Sequence, residues 1–554
     1  MSFIKMTLHF FQKNSEQDAM QCNDSGNSVS PTPTNSDLGN VAGNDSQLRS
    51  LFKSEPVSSL EYLRPSPVTV PFLWQKYLEN VDPLLKIFHA PTIQKQVMNL
   101  VRGRKNHDFP AECLMFAIYY STVLTLDAAE CQAEFEEDKE DLLKGYRSGV
   151  ENALLQADLV NSLDLSILQA FLIYLICGRR DKDGPNVRKL MGLAIGMAVK
   201  MDLHHDGENK GFSPFEVEMR RRLWWHICII DTRAAESDGS APCILESLFD
   251  TKLPTNVSDA NLDPDMGRAP QPQIGKTEML FSLIRLEVSY FGRQIVFSDQ
   301  FCRDNEYYLR SPLEKCKLID ELQGSIEKRY LSHCDSRTPL DFITIVSTRL
   351  ILARFKLTVA KPHAGPGQND IALPGNFRGV CVDVLEHARA LRGYENGKQW
   401  LWLFQTYVEW EALACLLLDL CFTLSNTPDE SAWKIVEDVY GYWKQHEEVN
   451  RCRHWGNIEE LYSQALIMRD SPETIMPTPV SNYHDTATPD AGSSEHLSRM
   501  WELANAAAVT AGGNAPLVPV TSDEAPEMPT SGTACQWSVG VFGQYFGIMD
   551  GSFT

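Results

Sequence analysis

No two of the 14 cysteines in this 554-residue chain stand at C-x₂-C spacing. That excludes the paired-thiolate zinc sites that close a tetrahedron from short loops. A secreted disulfide framework is not expected either. Cys113, Cys177, Cys228, Cys415 and Cys421 lie in apolar stretches, where a free thiol acts as a small hydrophobe. The sequence also lacks a GxSxG elbow, a GxxxxGK[ST] phosphate loop, a GxGxxG turn and an HExxH pair. No catalytic residue is identifiable, no enzyme is expected, and no cofactor is called for. Positive charge is scarce: 51 Lys and Arg against 73 Asp and Glu leave a net charge of −22. A surface that grips nucleic acid throughout is thereby ruled out, because phosphate contacts need concentrated cations. Long uncharged apolar runs are missing too. The most apolar stretch, Trp400–Phe422, carries Glu409, Glu411 and Asp419, which are costly in lipid. The N-terminus turns polar too soon for a secretory leader. A soluble intracellular chain without membrane partners is expected.

Hydrophobic residues make up 43% of the chain, enough for a large core. Residues 1–60 form a polar tail or linker, rich in Asn, Ser, Asp and Gly, that cannot offset its ordering entropy. Residues 61–470 are dense in apolar-periodic segments. Residues 471–534 are a Pro/Ser/Thr/Ala-rich low-complexity region, and 535–554 an aromatic C-terminal segment. Val187, Leu190, Met191, Ala194, Ala198 and Met201 fall on one helical face. Ser213-Pro214-Phe215-Glu216 reads as a capping box with Pro at the first helical position, opening a helix to about Thr232. Further helices are expected at 111–126, 141–157, 162–177, 342–359, 377–391, 400–422 and 432–447. Alternating strand patterns are nearly absent. The expected fold is all-α, a multi-helix bundle or superhelical body between disordered ends.

Three polar runs resemble metal sites. Asp202, His204, His205, Asp206 and Glu208 lie at a helix end before a capped helix and read as caps and turns. The acidic run from Glu136 to Asp141 is interrupted by Lys139 and has no second acidic motif opposite, so it reads as a solvated helix face. Asp259-Ala260-Asn261-Leu262-Asp263 begins like a calcium loop, but Pro264 stands where the turn needs Gly and Pro270 where Glu is needed. No metal ligand is assigned, and no stoichiometric zinc is expected.

The stretch from Gly211 to Pro254 resembles the signature of the fungal-specific transcription factor domain, the helical middle region of zinc binuclear cluster regulators. The matching residues are Arg220, Arg221, Arg222, Trp224, Trp225, Asp231, Gly239, Pro242 and Pro254. The segments 189–206, 351–363 and 400–421 share the pattern, and the resemblance covers roughly residues 60–470. Where the family has Gly-Arg-Pro, this chain has Gly239-Ser240-Ala241-Pro242. The six-cysteine cluster is absent from the chain, and the first 50 residues hold three basic against five acidic residues. No DNA-contacting residue is identifiable. The resemblance implies a nuclear regulator of metabolic genes, such as a secondary-metabolite cluster, acting through a DNA-binding partner or as a truncated family member. Promoter DNA would then be an indirect partner. Homo- or hetero-association and a small-molecule effector are further implied partners. The alternative is a helical biosynthetic-pathway enzyme or metabolite-binding protein on the same scaffold.

Three successive helical arginines span about 200° of circumference, so they cannot all face one ligand. With Glu216, Glu218 and Asp231 nearby, salt bridges that dock the helix are expected. Trp224 and Trp225, about 100° apart, are expected in the core. The tail from Thr521 mixes acids with Trp537, Phe542, Tyr545 and Phe546. It reads equally as a coactivator-binding segment or as a last structural element.

Overall fold

The computed structural model describes residues 49, 51, 52, 57, 59–102, 109–179, 186–237, 239–360, 376–404, 409–422, 429–446, 453–470 and 500. The tail segment expected at 535–554, and nearly all of those at 471–534 and 1–60, lie outside these. Among the described residues there are helices and no strands, as an all-α body requires. No described helix is long and apolar enough to cross a membrane.

The described residues fall into two compact units. The first holds α1 (Val70–Asn80), α2 (Asp82–Leu85), α3 (Ala90–Val101), α4 (Phe109–Thr125), α5 (Ala128–Phe135), α6 (Lys139–Gln156), α7 (Leu165–Gly178), α8 (Val187–Lys200) and most of α9 (Pro214–Ser237). Apolar side chains encircle α4 and α7, so both are interior helices. Phe116, Tyr120, Phe171 and Tyr174 are fully buried. Helix α4 packs against α1, α6 and α7. It comes close to α6 because Gly149 has no Cβ; one placed there would collide with the Phe116 ring. Caps set the local starts: Asp127 forms a capping box with Glu130 on α5, and Asp138 caps α6. Trp400 and Trp402 donate indole N–H groups to the carbonyls of Glu79 (2.8 Å) and Asn80 (3.0 Å), two C-terminal carbonyls of α1 left open by the helix.

The second unit contains α11 (Asp299–Asp304), α12 (Pro312–Arg329), α13 (Pro339–Ala360), α14 (Phe377–Arg392), α15 (Trp410–Phe422), α16 (Glu430–Lys444) and α17 (Arg453–Asp470). α10 (Leu280–Val296) begins in the first unit and continues into the second. Helix α13 packs on α12 and α14, and α15 on α14, α16 and α17. Arg392 pairs with buried Glu409 and lies over the rings of Tyr442 (4.8 Å) and Trp443 (5.0 Å).

The single helix expected over 400–422 is divided: a 3₁₀ segment ends at Leu403 and α15 begins at Trp410. A continuous apolar run shows a helix where it is buried all round, but its composition does not mark where one helical segment ends and the next begins.

Candidate functional site

Helix α9 carries six of the nine signature residues, Arg220, Arg221, Arg222, Trp224, Trp225 and Asp231, and Gly239, Pro242 and Pro254 follow it in the chain. Pro214 occupies the first helical position, and Ser213 Oγ accepts from the Glu216 N–H at 3.2 Å. The Glu216 carboxylate takes Arg220 at 3.0 Å. The helix runs five residues beyond the expected end. It closes where Gly239 turns left-handed at φ +65°, with Ser240 N–H donating to the Ala235 carbonyl and Gly239 N–H to Glu236. That is a Schellman ending, which places a glycine at the left-handed position.

The three arginines point three ways. Arg220 also donates to the Met201 carbonyl (2.8 Å) and lies 3.7 Å over the Phe212 ring. Arg221 holds both oxygens of Asp206 (2.8 and 2.9 Å) and reaches Glu208 at 2.6 Å. Arg222, with no exposed side-chain surface, meets Asp259 (3.0 Å), Glu218 (3.4 Å) and the Phe88 carbonyl (3.3 Å). Asp259 is shared with Lys86 at 3.1 Å, and Lys86 binds Asp82 at 2.6 Å. The result is a buried chain of alternating charge, Glu218–Arg222–Asp259–Lys86–Asp82. Burial pushes the Asp259 carboxyl up, but Arg222 and Lys86 outweigh it and hold it below its ordinary range. Asp82 is raised, because burial exceeds what Lys86 offsets. Beside them, burial and then the Arg285 charge press the His226 imidazole down to about 3, so it stays neutral.

Trp224 and Trp225 are both about 1% exposed. Trp225 donates to the Lys252 carbonyl at 2.9 Å and meets Phe249 edge-on at 5.9 Å. The Trp224 ring lies 5.4 Å from Phe249 and 6.2 Å from His204. Asp231, fully buried, accepts from the backbone N–H groups of Cys243 (2.8 Å) and Ile244 (2.9 Å). Pro242 and Pro254 are buried in the same returning segment. Glu218 also accepts from Thr255 N–H at 3.1 Å. The signature residues thus gather along α9, where the segment 240–262 runs back.

Sequence reasoning missed Lys86, Asp82 and the partnership of Asp259. No local signal marks a lysine that meets its partner 173 positions away. Asp259 drew notice only as the start of a calcium loop, and it serves Arg222 and Lys86 instead. Within the acidic run 136–141, Asp138 caps α6 and Lys139 donates to the Leu124 carbonyl at 3.1 Å.

Residues 74–321 match the family described as the fungal specific transcription factor domain. The chain is 33% identical over 429 residues to the aurofusarin cluster transcription factor aurR2 of Gibberella zeae, covering 75% of this chain and 62% of that protein. It is 31% identical to the transcriptional regulator AacuB of Aspergillus aculeatus, covering 70% of this chain and 54% of that one. With the pyriculol/pyriculariol biosynthesis cluster transcription factor 1 of Pyricularia oryzae it shares 30% identity, covering 75% and 57%. The chain therefore spans less than two thirds of the length of these relatives. Among solved structures, the K. lactis CBF3 core is similar at a TM-score of 0.47 and 13% identity, over 79% of this chain and 92% of that one. Residues 74–321 thus match the fungal specific transcription factor domain, and over 70–75% of its length the chain is similar to fungal proteins named as transcription factors and regulators.

Proposed function

We propose that this protein regulates transcription of a fungal secondary-metabolite gene cluster, acts in the nucleus, and reaches promoter DNA through a DNA-binding partner or as a truncated family member. One observation carries this reading: 33% identity over three quarters of the chain to a factor named for such a cluster. The buried α9 network supports it from another side, because the residues of the resemblance occur together as one packed unit. An enzyme reading draws no support from the relatives, which are named as regulators. On this proposal the signature side chains, Arg220 to Pro254, are structural and hold the segment 240–262 on α9. A DNA-binding partner supplies what a net charge of −22 does not. The test is deletion of the gene, followed by transcript measurement across the genes flanking it. Coordinated loss or rise of a contiguous set of biosynthetic transcripts is expected. Unchanged transcripts, with product formation blocked at one step, would favour an enzyme.

A further inference from the structure

We propose that Asp202, His204 and His205 form a binding site for a divalent transition metal of the zinc, nickel and copper class. Sequence alone reads this run as caps and turns, but the fold turns three donors toward one point. One ligand atom from each lies within 4.8 Å of the others. His204 Nδ1 is buried without a hydrogen-bond partner and stands 3.9 Å from Asp202 Oδ1. The imidazoles lie close, 4.1 Å between centroids, with their planes tilted by 38°. Asp250 adds a carboxylate oxygen 3.5 Å from His205 Nδ1. A tetrahedral ion with bonds of 2.0–2.1 Å needs donors about 3.3 Å apart, so the side chains close by well under the length of one residue.

The turn that holds these donors is braced. Asp202 sits at φ +59° after α8, with Leu203 N–H donating back to the Ala198 carbonyl at 2.9 Å. Thr251 Oγ1 donates to the Leu203 carbonyl (2.7 Å), and Asp250 N–H to that of His204 (3.0 Å). Asp206, the next residue, is gripped by Arg221. Two imidazoles and one carboxylate suit zinc, nickel or copper, whereas magnesium and calcium prefer oxygen alone. His205 is 44% exposed along its side chain, so an ion has a way in. Lys210 is hydrogen-bonded to the other oxygen of Asp202 and competes with the ion for its charge.

The experiment titrates the purified full chain with cobalt(II), followed by its visible absorption, and with zinc by calorimetry. Wild type is expected to take up one ion with a tetrahedral cobalt spectrum. His205→Gln and Asp202→Asn should each weaken binding by about tenfold or more. Both sites are partly exposed, and circular dichroism checks that the variants fold. His204→Gln should do the same. Lys210→Met should tighten binding several-fold, an effect that a merely structural turn would not show. Absence of a bound ion in wild type, or binding unchanged in His205→Gln and Asp202→Asn, overturns the site.

Discussion

Arg222→Met removes the central charge of the buried network while keeping a side chain of similar reach. Asp259 and Glu218, 4% and 1% exposed, then keep their desolvation with only Lys86 as the remaining cation against Asp259. Breaking one partner out of a buried ion pair costs about 3–5 kcal/mol, because the other charge is left uncompensated. At roughly 2–4 °C per kcal/mol for a domain of this size, the melting temperature should fall by about 6–20 °C. The pH dependence gives a sharper test. In the wild type, Asp259 is held below its ordinary pKa, so its ionised form adds stability above the unfolded value. That stability is lost as pH falls through the folded value. In the variant, burial remains and its main opponent is gone, so the carboxyl should rise and protonation should favour the folded state. The gap between variant and wild type should therefore be widest near neutral pH and narrow toward about pH 5. Thermal melts by circular dichroism at the two pH values measure it. The double variant Arg222→Met, Asp259→Asn should recover part of the loss. A loss under about 1 kcal/mol that is the same at both pH values would refute the network as a stabilising unit.

Trp224→Ala should cost about 3–5 kcal/mol by the usual price of emptying a buried aromatic site, and soluble yield should drop with the melting temperature. Trp225→Phe keeps most of the packing and loses the bond to the Lys252 carbonyl, so about 1 kcal/mol is expected; the same melts measure both. Gly239→Ala forces a Cβ into the left-handed position that ends α9 and should lower stability by about 1–2 kcal/mol. Assayed alone by gel shift at physiological salt, the chain should bind promoter fragments weakly and without sequence preference. Tight binding that survives competitor DNA would show a reader that the partner hypothesis does not need.

What was legible in the sequence was local. The six residues placed on one helical face, from Val187 in α8 to Met201 just past its end, are all buried, because a 3.6-residue period needs only nearby positions. Pro214 begins α9 as read, since Pro at the first turn and a serine cap act within four residues. That the three arginines diverge also follows from helical geometry alone. Their partners did not follow, nor did Lys86, because charges 173 positions apart meet only when helices pack. The division between Leu403 and Trp410 was hidden by an unbroken apolar run. Composition, period and capping are short-range properties, and they determined the all-α class and most helix positions. Which buried charge faces which, and whether two adjacent histidines converge on an aspartate, depend on how a turn is braced by distant segments. Only the tertiary structure decided those, because burial makes a pair strong or costly only after the chain has closed around it.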